Sequence, residues 1–235
     1  KKPDMIQGKI LRIMDKKIQI ENYGFVSLDA EFCVYHLKND GTVTPGEANE
    51  LSVGESGAKY VAASGKIYEQ KEKTANIRVI LQNDKNHSYD FSSVTLSGTT
   101  GYTVIAGKKK THFDASVKQN LTAQNVTEHI VVIPDTGGKI RVESVNKQYG
   151  HPEYRGIFEI DLVDKALHII NELSLEEYLY SVVPSEMPTE YQKEALKAQA
   201  VCARSYAIKQ MAGKRLAALG AHVDDSVAFQ VYNNL

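Results

Sequence analysis

Apolar residues before residue 171 come in short runs separated by turn formers, and helical spacing begins only after Asn171. Strands first and helices last is the order of an α+β chain, not of one that alternates β and α around a parallel sheet. The first runs cover 10–14, 17–21, 25–28, 31–37 and 60–68, the last turning at Ser64-Gly65. They predict a small β-barrel-like module over residues 1–75, ended by a charged linker, Glu69-Gln70-Lys71-Glu72-Lys73. A second set, at 77–81, 93–96, 102–106, 129–133, 139–142, 154–162 and 167–170, predicts a β-rich domain over residues 76–235. On it should pack a C-terminal helical segment, strongest over 190–211, where Leu196, Ala200, Ala203 and Ala207 recur at helical spacing.

Charge narrows the partners. The net charge is -1, and the longest basic cluster, Lys108-Lys109-Lys110, follows Gly107 as a hairpin tip would, so nucleic acid is not an expected partner. No run approaches the ~18 apolar residues of a membrane span. The chain begins Lys1-Lys2, and a membrane is expected to be met only through an N-terminal anchor or export signal that is missing here. Cys33 and Cys202 each lie in an apolar stretch and read as buried thiols, with one disulfide between them as the alternative. The seven histidines form no ligand set, so neither a metal nor another cofactor is expected. Asp135-Thr136-Gly137 mimics an aspartic protease triplet, but it has no second copy and reads as a hairpin turn. Cys202 with His222 could be drawn as nucleophile and base, yet Cys202 falls mid-helix.

One carboxylate stands apart. Glu186 lies in Val182-Val183-Pro184-Ser185-Glu186-Met187-Pro188, between two prolines that should hold Val183 and Met187 extended. Two capping boxes flank it, Ser174 with Glu177 and Thr189 with Gln192, which predict a helix on either side. The pattern suits a catalytic acid on a stiff connector. It also suits a solvated carboxylate that merely helps to cap a helix.

The wider segment decides between these. Tyr154-Arg155-Gly156, Leu175-Glu176-Glu177-Tyr178-Leu179, the Glu186 stretch, and Glu194-Ala195-Leu196-Lys197-Ala198-Gln199-Ala200-Val201-Cys202-Ala203-Arg204-Ser205-Tyr206-Ala207 resemble the SpoIID/LytB family, closely over residues 154–232. The resemblance implies a lytic transglycosylase acting outside the cytoplasm at the bacterial cell wall. Its substrate would be peptidoglycan glycan strands, cleaved between N-acetylmuramic acid and N-acetylglucosamine with a 1,6-anhydro product. Glu186 would serve as the single acid and base, with no second carboxylate of the usual glycosidase pair. Lys197, Gln199, Arg204 and Tyr206 match polar family positions, and their spacing puts Lys197 and Arg204 on one helix face. His222, Asp224, Gln230 and Tyr232 match a segment expected to line the substrate groove. The family also implies an alternative role, a non-catalytic peptidoglycan-binding protein or amidase enhancer, with a cell-wall amidase or an engulfment protein as partner. Family members continue past the Gln-Val-Tyr segment, some with zinc-binding Cys and His residues there. Part of the groove is therefore expected beyond Leu235.

Overall fold

Alternating burial sets the first strands: Ile18 and Ile20 turn inward while Lys17 is exposed. The computed structural model describes residues 6–28, 33–37, 42–47, 50–54, 58–61, 66–69, 76–147 and 150–233. Two compact units emerge, Lys1–Ala75 with Met211–His222, and Asn76–Gln210 with Val223–Leu235. The first unit therefore also takes a later stretch of chain, which the strand and linker pattern gave no reason to expect.

The first unit contains β1 (Ile6–Gly8), β2 (Ile10–Met14), β3 (Lys17–Ile20), β4 (Gly24–Ser27), β5 (Cys33–Leu37), β6 (Val43–Gly46), β7 (Ala58–Val61) and β8 (Lys66–Glu69). They form a five-stranded sheet in the order β1-β7-β8-β5-β6 and a three-stranded sheet β2-β3-β4. Ile6, Ile10, Ile18, Ile20, Val26, Val34 and Leu51 make its apolar core. Ser64-Gly65, most of the linker and the Cys33 side chain lie outside the described residues.

The second unit continues with β9 (Ile77–Ile80), β10 (Ser93–Gly98), β11 (Tyr102–Ala106), β12 (Lys109–Phe113), β13 (Gln119–Thr122), β14 (Ile130–Pro134), β15 (Ile140–Val142), β16 (Glu153–Tyr154), β17 (Ile157–Val163) and β18 (Ala166–Leu173). Helices α1 (Leu175–Glu186) and α2 (Lys193–Met211) follow, and β19 (Val223–Asp224) returns to the sheet. A seven-stranded sheet runs β12-β11-β14-β17-β18-β9-β19, and a four-stranded one runs β13-β10-β15-β16. Within the seven-stranded sheet every pairing is antiparallel except that of β19 with β9. The chain is thus α+β and β-rich. No helix among the described residues is long and apolar enough to cross a membrane.

Several expectations are corrected here. Only Gly107 and Lys108 turn the β11–β12 hairpin, and Lys109 and Lys110 belong to β12, paired with Ala106 and Ile105. The turn at Asp135-Thr136-Gly137, closed by the Gly138 N–H donating to the Asp135 carbonyl at 2.8 Å, links strands of different sheets and is no hairpin. The run read as one strand over 154–162 is two, β16 in the smaller sheet and β17 in the larger. Gly156 makes this switch with φ +77, and a Cβ there would lie 2.3 Å from the Glu172 carbonyl oxygen. A side chain is excluded both by conformation and by space.

Arg78 on β9 is buried between two carboxylates. Its Nη2 donates to Glu159 Oε2 on β17 at 2.8 Å, and its Nη1 donates to Glu172 Oε2 on β18, the residue directly opposite it in the ladder. Asn76 Nδ2 adds a bond to Glu172 Oε1 at 3.3 Å. Burial by itself would lower the guanidinium pKa, and the two carboxylates reverse this and raise it. The cation stays charged where it is needed.

Removing one partner of a buried pair strands the others without compensation, at a typical cost of about 3–5 kcal/mol. Arg78→Met is expected to lose about that much on urea unfolding of the second unit, and a loss under about 1 kcal/mol would refute the clamp. Gly156→Ala should cost about 2 kcal/mol or more in the same assay, and parent-like stability would contradict the contact described.

Candidate functional site

Helix α1 starts as its sequence prescribes. Ser174 is the N-cap; its hydroxyl oxygen accepts the Glu177 N–H at 3.3 Å and its O–H donates to Glu177 Oε2 at 3.0 Å. At the other end the helix runs through Pro184 and stops at Glu186. Val183 is therefore helical and not extended, whereas Met187 is extended at φ -141 and ψ 125. The Met187 N–H still reaches the Val183 carbonyl at 3.0 Å, and Tyr178, Leu179 and Val182 anchor the helix in the core. Packing overrides the local preference of the residue before proline.

The second expected cap is displaced. Residues 188–191 form a turn closed by the Tyr191 N–H to the Pro188 carbonyl at 3.1 Å, and the Gln192 carbonyl accepts the first bonds of α2. Thr189 does not cap this helix. Glu186 thus ends α1, with a turn of chain before α2, and the two helices stand on either side of that turn.

Glu186 is exposed, and its Oε1 accepts the Val231 N–H at 2.6 Å. Behind it is an aromatic stack in which the Tyr232 ring lies between Tyr154, at 5.3 Å and 27°, and Tyr178, at 5.1 Å and 28°. All three tyrosines are fully buried. The Tyr178 hydroxyl donates to Gln230 Oε1 at 3.3 Å, and the Tyr232 hydroxyl donates to Asn171 Oδ1 at 2.8 Å. Burial raises the Tyr178 pKa, and the nearby Tyr206 and Glu186 raise it further. Burial likewise holds the Tyr232 hydroxyl well above its ordinary value. Both stay donors.

Helix α2 splits the four residues expected on it. Lys197 and Arg204 share one face, and Gln199 and Tyr206, also seven positions apart, share another roughly 200° away. Arg204 turns to α1, where Nε and Nη2 each donate to the Glu176 carboxylate at 2.8 Å, which lowers the Glu176 pKa. Lys197 donates to Glu194 on its own helix at 2.8 Å. Tyr206 is near enough to Tyr178 to help raise its pKa. Leu196, Ala200 and Arg204 instead line, with Leu179, Tyr180, Val183 and Pro184, an apolar groove of about 370 Å³ between the helices. Cys202 is exposed and free, which corrects its reading as a core residue; α2 turns Ala203 and Ala207 inward in its place.

The later candidates are buried. His222 belongs to the first unit, where its Nε2 lies 3.2 Å from the Val53 carbonyl oxygen. Asp224 ends β19 and accepts the Tyr89 hydroxyl at 2.8 Å, the Ser226 hydroxyl at 2.6 Å and the Ser226 N–H at 2.9 Å. Burial first, then this bond, raise the Tyr89 pKa to about 12. Gln230 and Tyr232 are 7% and 0% exposed and point into the unit's interior. Among the described residues no group of three or more His, Cys, Asp or Glu could hold a metal ion.

Sequence reasoning passed over Tyr178, Val231, Asn171 and Asp225. The first three act through a ring, a backbone N–H and an amide whose partners are remote in sequence. Asp225 was legible as a second carboxylate beside Asp224, but its depth was not. Its carboxylate accepts Lys147 Nζ at 2.7 Å and the Gln82 N–H at 3.0 Å. Burial pushes its pKa up, against the pull of Lys147 and Gln82.

A carboxyl with a raised native pKa holds its proton more tightly folded than unfolded. Its contribution to stability is therefore present at low pH and lost as pH rises through the native value. The stability of the parent minus that of Asp225→Asn should fall as pH rises from about 4 in urea titrations. A difference that is flat or rises with pH from that point would be incompatible with this burial effect.

Residues 163–235 match the family model described as Stage II sporulation protein, SpoIID. Stage II sporulation protein D of Bacillus amyloliquefaciens is 44% identical over 69 residues, 28% of this chain and 20% of that protein. An uncharacterized protein of Brachyspira hyodysenteriae is 40% identical over 81 residues, 34% of this chain and 22% of its own length. The amidase enhancer of Bacillus subtilis (strain 168) is 46% identical over 54 residues, 23% of this chain and 6% of that protein. The matched region spans about a fifth of the length of the first two relatives. No solved structure gives a significant match.

Proposed function

From the membership of residues 163–235 in the SpoIID family, we propose that the chain serves in remodelling the sporulating cell wall, as a lytic transglycosylase of peptidoglycan glycan strands. The observation that carries this reading is Glu186 itself, exposed at the end of α1 with one oxygen held by the Val231 N–H and the other without a partner among the described residues. In the acid form it protonates the glycosidic oxygen as the bond to C1 of N-acetylmuramic acid breaks, releasing the neighbouring sugar as an alcohol. The carboxylate then takes the proton of the C6 hydroxyl, whose oxygen closes onto C1 to give the 1,6-anhydro sugar. One carboxylate is enough because an internal hydroxyl replaces water, and the enzyme ends as it began. On this reading Gln199 and Tyr206, which share one face of α2, contact the glycan near the acid. Lys197 and Arg204 contact the glycan from the other face of α2. An extracytoplasmic location follows from such a substrate.

The similarity to a protein named amidase enhancer supports a second reading, in which the chain binds peptidoglycan without cleaving it and acts with a cell-wall amidase. One experiment separates the two. The purified chain is incubated with peptide-free glycan strands and anhydro-muramic ends are counted by mass spectrometry. Cleavage is expected, with Glu186→Gln slower by about 10²-fold or more and circular dichroism unchanged. Tight glycan binding without product would leave the second reading, and a Gln variant as fast as the parent would exclude Glu186 as the acid.

A further inference from the structure

A carboxylic acid that must give a proton and later take one back has two oxygens, and geometry decides which of them works. Here they are unlike. Glu186 Oε1 accepts the Val231 N–H at 2.6 Å, and Oε2 has no partner among the described residues. A backbone N–H needs an acceptor lone pair, and in a protonated carboxyl the carbonyl oxygen is the better acceptor.

We propose that residues 230–232, expected from resemblance to line the groove, are instead the positioning element of the acid: Val231 fixes Oε1 as the carbonyl oxygen and leaves the proton on Oε2. This inference rests on the cleavage reading above. Oε2 gives its proton to the departing glycosidic oxygen and then receives that of the C6 hydroxyl, while Oε1 keeps the same bond throughout.

The N–H can do this because its neighbours are held on both sides. Gln230 is tied to α1 through Tyr178 at 3.3 Å. Tyr232 is stacked between Tyr154 and Tyr178 and bonded to Asn171, whose Nδ2 is itself engaged with the carbonyls of Arg155 at 2.8 Å and Ile157 at 3.1 Å. The Ser185 hydroxyl, beside the acid, lies 3.1 Å from the Asn233 carbonyl oxygen and 2.6 Å from that of Ser181. Gln230 and Tyr232 are too deeply buried to touch a glycan. They are positioning residues, acting through the peptide between them.

A backbone ester in place of the Val231 amide, introduced by semisynthesis in the full chain, deletes this N–H and keeps the side chain. A bond to a charged acceptor is strong enough that kcat should fall about tenfold or more, with KM within about twofold. A second measurement needs no turnover: Glu186→Ala should speed hydrogen exchange of the Val231 amide by about tenfold or more, by removing its acceptor. An ester variant with the parent's kcat, a loss that falls on KM, or exchange at Val231 that Glu186→Ala leaves unmoved would each overturn the proposal. A chain that cleaves no glycan and yet shows the exchange response would sink the cleavage reading and leave the clamp itself standing.

Discussion

Everything around Glu186 depends on a buried cation. Arg78 joins β9 to β18 through Glu172 and reaches across to β17 through Glu159, so three neighbouring strands of the large sheet are locked by one guanidinium. A pair of buried carboxylates without it would have to take up protons or separate. The two arms of the site leave from this place. Strand β18 runs straight into the cap at Ser174 and on through α1 to the acid, and β19, paired with β9 at Val79 and Ile80, leads into the segment that carries Val231.

Between those arms the contacts are aromatic and polar by turns. Tyr154, Tyr232 and Tyr178 make a continuous stack, and the hydroxyls of the last two find Asn171 and Gln230. Stacked rings limit sliding and rotation, and the bonded hydroxyls of Tyr178 and Tyr232 fix the remaining freedom of those two. The carboxylate at the surface is held by a wall with little room to move. On α2 two polar pairs spaced alike, Lys197 with Arg204 and Gln199 with Tyr206, face opposite ways, and of these Arg204 lines the apolar groove.

Much of this was legible in the residues. The α+β order, most strands of both units, the Ser174 cap and a Glu186 bracketed by two helices follow from patterns that act over a few positions. What was misread depends on distant partners. Val183 is helical because the buried Tyr178 and Val182 hold α1 in place, Thr189 loses its cap to a turn after Pro188, and the 154–162 run divides because Gly156 can meet the Glu172 carbonyl closely. Gln230 and Tyr232 resembled groove residues by motif, yet a motif does not reveal which way a side chain points. Glu159, one of two carboxylates in the otherwise apolar run of β17, was the available clue to the Arg78 clamp, since a charge there calls for a buried partner.

The parallel pairing of β19 with β9 joins residues from opposite ends of the second unit's sequence. Contacts of such long range carry the largest loop-closure cost and dominate the folding time of β-rich chains. Helix α1 can form from local signals, so the acid exists as a residue early. The Val231 amide that bonds it arrives only when the last strand docks, and the chain therefore has its exposed carboxylate before it has the contact that fixes it.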